Sequence, residues 1–167
     1  DEQKESNLKK TISGRKVYGG DGITPDEFIR SSTITNLQNK LFDPIFLFSR
    51  QLVSGNIKGL ESYQVSNQIG FGHRISSSEF PITAEVFQAF KHFVIKESKL
   101  NFNEKMLDAE EKFIADRIRY NLVSAKYGSV TAQQVIVEQD QQILKAINEL
   151  PKAKDLATLS RKFLMNQ

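Results

Sequence analysis

Residues 101–128 read NFNEKMLDAEEKFIADRIRYNLVSAKYG, and this stretch decides the fold class. Leu107, Ile114, Ile118, Leu122 and Ala125 recur at helical steps, which puts them on one face of an amphipathic helix. Asn101 followed by Glu104 has the spacing of a capping box, in which two side chains satisfy backbone N–H groups that the first turn leaves open. Gly128 is a fitting end, because glycine enters the left-handed conformation that closes helices without a Cβ clash. The pattern predicts one long helix, and a helix with a single apolar stripe needs apolar neighbours.

Such neighbours lie on both sides. Upstream, Thr83 is the expected N-cap of a helix whose stripe is Val86, Phe87, Phe90, Phe93 and Val94. Earlier still, Leu37, Leu41, Ile45, Phe48 and Leu52 repeat with helical period from Thr35 onward. Pro44 lacks an N–H and is expected to kink that helix or divide it in two, and Gly55 and Gly59 punctuate its end. Residues 60–69 fit a further helix or an irregular segment, and residues 70–78 read as a loop. Downstream, Thr131 and Gln134 have capping-box spacing, with Val130 and Val135 as a hydrophobic staple. The helix they open carries Val135, Ile136, Ile143, Leu144 and Ile147, and Pro151 is expected to end it. Leu156, Leu159 and Phe163 mark a last short helix. The expected fold is mainly α, a bundle of about five or six helices with short connections.

The first 30 residues read differently. Residues 1–10 are nearly all polar; Leu8 to Ile12 and Arg15 to Tyr18 look like two short strands around a tight Ser13-Gly14 turn. Ile23 to Ile29 fits a further extended piece with Pro25 at its edge. Two or three strands make only a marginal sheet, so this segment is expected to dock on the bundle or pair with another copy.

Composition sets outer bounds. With 167 residues, 39% apolar and 26% charged, the chain falls in the globular class and is long enough for one ordinary domain plus an appendage. Its 23 basic and 20 acidic residues are interleaved, giving a net charge of +3 with no basic stripe, so nucleic acid is not an expected partner. A helix-turn-helix over residues 117–147 would place Glu138 and Asp140, not arginines, near its recognition helix. Cysteine is absent, which excludes disulfides and thiol catalysis. No window reaches the ~18 apolar residues of a membrane span. The chain begins at Asp1 without methionine and is expected to be part of a longer protein, so a missing signal peptide says nothing about location.

Candidate chemistry is sparse. Four glycines crowd into Gly14–Gly22, but neither phosphate-loop pattern is present and no helix of suitable pattern starts at Gly22. His73 and His92 are the only histidines, and neither has a carboxylate at metal-ligand spacing. Asp108, Glu110, Glu111 and Asp116, with Lys112, Arg117 and Arg119, read as a solvated helix face with an Asp108–Lys112 pair. Ser13, Ser32 and Ser76-Ser77-Ser78 lack a nucleophile elbow and a recognisable base. No catalytic, cofactor-binding or metal-binding residue is assigned, and no cofactor is expected.

One block is specific in order and spacing. Lys10-Thr11-Ile12-Ser13-Gly14-Arg15-Lys16-Val17-Tyr18-Gly19-Gly20-Asp21-Gly22-Ile23-Thr24-Pro25-Asp26 resembles the closing segment of the catalytic domain in carboxyl-terminal processing peptidases, the tail-specific proteases. That family typically shows Lys-x-x-x-Gly-Arg-x-Val-Tyr-Gly-Gly-Gly-Gly-Ile-x-Pro-Asp; the departure is Asp21, where glycine is usual, and aspartate tolerates the left-handed region better than most residues. Asp140 to Ile147, followed by Leu150-Pro151-Lys152-Ala153, looks like the helical C-terminal region of many members. The resemblance implies residues 1–30 as terminal strands of the peptidase catalytic domain and residues 31–167 as a C-terminal helical domain, structural or regulatory in role. It further implies a serine nucleophile, a lysine general base and a PDZ domain, all upstream of the matched block. Implied partners are those upstream domains, the parent enzyme's protein or peptide substrates, and a second copy of the chain. The implied setting is bacterial and periplasmic or otherwise extracytoplasmic. The alternative is a stand-alone helical module binding a peptide or protein, with an apolar groove along Phe87, Phe90 and Phe93.

Overall fold

The computed structural model describes residues 8–11, 14, 16–18, 27–30, 33–68, 72–97 and 101–165. Residues 19–26 of the glycine block, together with Ser13, Ser32 and Gly70, lie outside them. The described chain is mainly helical, with six α-helices and one short antiparallel hairpin. It divides into two compact units, Ser32–Asp140 and Asp1–Ser31 together with Gln141–Gln167.

The Ser32–Asp140 unit holds α1 (Asn36–Val53), α2 (Ala84–Glu97), α3 (Glu104–Ala109), α4 (Glu111–Tyr127) and α5 (Ser129–Val137). Helix α4 packs against both α1 and α5. The stripes read from the sequence meet in one core: Leu41, Ile45, Phe48 and Leu52 of α1, Val86, Phe90 and Val94 of α2, Leu107 of α3, and Ile114, Ile118 and Leu122 of α4. Phe48 and Phe90 meet edge to face with centroids 5.4 Å apart, the arrangement that aromatic quadrupoles favour. Val123, Ala132 and Val135 form a second small core where α4 meets α5.

Helix α1 corrects the expectation that Pro44 divides the helix in two. It is one helix through the proline, which is itself buried. Proline removes one hydrogen bond and crowds the preceding turn, but the fully buried stripe on either side outweighs that local cost. The start of α1 is well capped. Thr35 Oγ1 accepts from the Gln38 N–H at 3.1 Å, and Gln38 Oε1 accepts from the Thr35 N–H at 3.1 Å. Replacing Thr35 with alanine is expected to cost about 1 kcal/mol in urea unfolding. A loss below a few tenths would mean that the box contributes nothing.

Other boundaries moved. Among the described residues of the 60–69 segment there is a single 3-10 turn, at Glu61–Tyr63, after which Gln64 is extended. Asn103, not Asn101, caps α3, its Oδ1 accepting from the Met106 N–H at 3.0 Å. The expected long helix is also two: Glu110 leaves helical geometry at φ −109°, ψ 15° between α3 and α4. Thr131 and Gln134 do not cap α5, which starts at Ser129 directly after Gly128. Thr131 is buried and Val130 is 72% exposed, so no staple forms. Gly128, at φ +85°, takes a conformation reserved for glycine and turns the chain from α4 into α5 without a linker.

In the second unit, β1 (Leu8–Lys10) and β2 (Lys16–Tyr18) pair antiparallel with Leu8 opposite Tyr18 and Lys10 opposite Lys16. Gly14, at φ +80°, donates its N–H to the Thr11 carbonyl at 2.8 Å in the turn. The expected helix from Thr131 ends at Val137, and a separate 25-residue helix, α6 (Gln141–Met165), follows. Pro151 does not end α6, and Leu156 and Leu159 belong to it rather than to a separate short helix. Residues 27–30 dock along α6. The Ile29 carbonyl accepts from Gln142 Nε2 at 3.2 Å, and the Glu27 carboxylate lies 3.7 Å from Lys145 Nζ and 3.4 Å from Lys152 Nζ.

Candidate functional site

Two places concentrate interactions that the sequence did not announce. In the Ser32–Asp140 unit, the loop ahead of α2 carries His73, Ser76 and Glu79. One Glu79 oxygen accepts from the Tyr127 hydroxyl at 2.6 Å and lies 3.1 Å from His73 Nε2; the other accepts from the Ser76 N–H at 2.6 Å. The His73 ring stacks on Tyr127, with centroids 4.0 Å apart and planes 13° from parallel. Arg119 of α4 donates through Nε to the Glu79 carbonyl at 3.1 Å and through Nη2 to the Ser76 carbonyl at 2.9 Å, while Nη1 meets Glu138 at 2.5 Å. Gln134 of α5 accepts from the Ile75 N–H and donates to the His73 carbonyl.

This cluster binds a loop to two helices. Phe80, next to Glu79, sits at φ +51°, a strained conformation for an aromatic residue, and its ring packs against both apolar cores. The Tyr127 hydroxyl, then the Ser76 N–H, hold the Glu79 carboxyl below the ordinary glutamate range. The same bond pushes the Tyr127 hydroxyl up, because its proton is engaged by the carboxylate. A histidine beside a carboxylate invites comparison with nucleophilic catalysis, which needs a serine on the other ring nitrogen's side of the relay. Here Ser76 Oγ is shared with Ser78 Oγ at 2.9 Å, and His73 Nε2 is engaged by Glu79. The arrangement fastens rather than activates.

The remaining sequence candidates are dispersed. His92 is exposed on α2. Among the described residues, no group of three or more His, Cys, Asp or Glu is placed to hold a metal ion. The expected Asp108–Lys112 pair is replaced by two others: Lys91 Nζ to Asp108 at 2.8 Å and Lys112 Nζ to Asp116 at 2.9 Å. The Asp108 carboxylate holds the Lys91 ammonium above the ordinary lysine range. Arg117 lies over the Phe42 ring, 4.9 Å from its centroid, so this cation covers an aromatic side chain. Phe87 and Phe90 are core residues and Phe93 is half-buried, which removes the groove expected along that stripe.

The second place is α6. Gln142, Lys145, Glu149, Lys152 and Leu156 recur at steps of three and four along the side that faces residues 27–29, and together they line a cleft of about 520 Å³. Lys145 and Lys152 are both held above the ordinary lysine range, first by Glu149 and next by Glu27. Their charges are thus engaged within the cleft wall. Several large apolar side chains of α6 remain exposed, among them Ile147 at 55%, Leu150 at 61% and Leu164 at 60%. Among the described residues no helix is long and apolar enough to cross a membrane, α6 included.

No family model, no curated protein and no solved structure matches the chain.

Proposed function

We propose that this chain is the C-terminal helical domain, with the last catalytic strands, of a serine-type carboxyl-terminal processing peptidase, and that it holds no catalytic residue itself. The observation that carries the reading is the Lys10–Asp26 block, whose order and spacing resemble that family's closing catalytic segment. Two features support it. Glu79, Lys91, Asp108, Arg119 and Glu138 are engaged in loop fastening and ion pairs, as suits a structural or regulatory domain. The hairpin Leu8–Lys10 and Lys16–Tyr18 is a marginal sheet by itself, which suits strands whose neighbours belong to a larger one. On this reading the parent enzyme is bacterial, works in the periplasm or another extracytoplasmic space, and uses a serine and a lysine upstream of this segment. Its partners are its own catalytic and PDZ domains and its protein or peptide substrates.

The test is a peptidase assay on the protein with its native upstream sequence, with and without residues 35–167, beside the 167-residue chain alone. Hydrolysis is expected from the protein that includes the upstream sequence and not from the isolated chain. An upstream sequence without a serine–lysine peptidase core would end the reading. The second reading, a stand-alone helical module for a peptide or protein, draws on the exposed apolar side chains of α6, now that the α2 stripe belongs to the core.

A further inference from the structure

We infer that residues 72–82 and α5 form a hinged flap on α4, which opens as one piece while the core shared by α1, α2, α3 and α4 stays closed. Such a flap is a conformational device built into the Ser32–Asp140 unit, and the contacts that define it lie within that unit. The inference is independent of the function proposed above. Three observations lead to it.

The first is the division of apolar burial. Val123, Ala132 and Val135 form a core of their own, with Ile75, Phe80, Tyr120 and Tyr127 packed against it, and none of the three belongs to the larger core. A small cluster under a loop has few buried contacts to hold it, and segments of that kind open at a fraction of the global free energy. The second is interlocking. Gln134 of α5 accepts from the Ile75 N–H at 3.2 Å and donates to the His73 carbonyl at 2.8 Å. Arg119 of α4 grips the Ser76 and Glu79 carbonyls of the loop and the Glu138 carboxylate just past α5. Helix α5 has nine residues, too short to hold helical form by itself in water, so its order depends on α4 and the loop that enclose it. The loop in turn has no helix or strand of its own between residues 72 and 82. Neither piece therefore keeps its place when the other leaves. The third is the pair of joints. Phe80 is the one described residue that packs against both cores, and also the one described non-glycine residue with a positive φ, +51°. A bulky residue in that conformation persists only where its surroundings over-determine it. The closed flap carries this strain and opening releases it, at the point where the flap joins the larger core. Gly128, at φ +85°, is the second joint, between α4 and α5.

Native-state hydrogen exchange of the whole chain in sub-denaturing urea, resolved by residue, tests the flap. Ser76, Ala132 and Val135 supply flap amides, and Phe48, Phe90 and Ile118 supply core amides. The flap amides are expected to show one common protection and one common, shallow urea dependence, with protection about tenfold or more below that of the core amides. Gln134→Ala removes both bonds from α5 to the loop, although alanine is the better helix former. It is expected to lower protection by about tenfold at Ser76, whose N–H is bonded to Glu79 and not to Gln134, and by the same factor at Ala132 and Val135. The core amides are expected not to change. Glu79→Gln, a change in the loop alone, is expected to lower protection at Ala132 and Val135 severalfold. The inference is overturned if the flap amides share the protection and urea dependence of the core. It is equally overturned if Ser76 loses protection in Gln134→Ala while Ala132 and Val135 keep or gain it, because a freestanding α5 would profit from the alanine. Protection that stays unchanged in both variants has the same consequence. The urea dependence of the parent chain decides the question even where a variant fails to fold.

Discussion

Replacing Phe90 with alanine is expected to lower the stability of the Ser32–Asp140 unit by about 3–5 kcal/mol, the largest effect of any single truncation proposed here. Phe90 is fully buried on α2 and stands edge to face against Phe48 of α1. Its removal takes away the transfer free energy of a large side chain and leaves a cavity between two helices. Well-packed helices close such a cavity only in part. Phe46, on the same α1 as Phe48 but 54% exposed, gives the internal comparison, and Phe46→Ala is expected to change stability by less than about 0.5 kcal/mol. Urea unfolding followed by far-ultraviolet circular dichroism separates the two. A loss below about 1 kcal/mol for Phe90→Ala would show that α1 and α2 do not share one core.

The second large effect concerns Glu79. Glu79→Ala removes the acceptor of the Tyr127 hydroxyl and the Ser76 N–H and the carboxylate beside His73. The expected cost at neutral pH is about 1.5–3 kcal/mol, the range for hydrogen bonds to a charged group. Its pH dependence has a definite sign. The folded carboxyl is held below the ordinary glutamate range, first by Tyr127, so at mildly acid pH the unfolded chain binds the proton that the folded chain does not. Stability from this group is therefore present above the unfolded value of about 4.3 and is lost as pH falls through the lower folded value. Glu79→Gln keeps the shape and removes the titration. Its difference in stability from the parent is expected to shrink steadily as the pH is taken below about 4.3. A difference that stays constant across that window would mean that the carboxylate charge contributes nothing to the fastening.

The helical class and most of the core were legible in the sequence because burial follows period. Leu41, Ile45, Phe48 and Leu52, Val86, Phe90 and Val94, and Leu107, Ile114, Ile118 and Leu122 all lie buried where their spacing placed them. The hairpin was legible for a similar reason, from a β-branched and aromatic pair of runs around a glycine turn. Breaks were less legible. Pro44 and Pro151 both sit inside helices, because tertiary burial or helix continuity outweighs a local penalty that sequence reading counts in full. Glu110 and residues 138–140 interrupt helices although no proline or glycine marks them. The Glu79 cluster could not be read at all. His73, Glu79, Arg119, Tyr127 and Gln134 come from one loop and two helices, and no spacing rule joins residues so far apart in the chain.

The buried Pro44 has a consequence for how order arises in this protein. A proline within a helix costs about 3 kcal/mol relative to alanine, more than a short isolated helix gains from all its other residues. The sequence of α1 alone therefore does not sustain a helix, whatever its cap at Thr35 contributes. Its helical state is conditional on the buried contacts that Leu41, Ile45, Phe48 and Leu52 make in the common core. Order in α1 and closure of that core are one event, so the unit has no stable half-assembled form in which α1 stands helical and undocked. The proline turns a local element into a reporter of the whole, and a peptide spanning residues 33–56 would be unstructured in water.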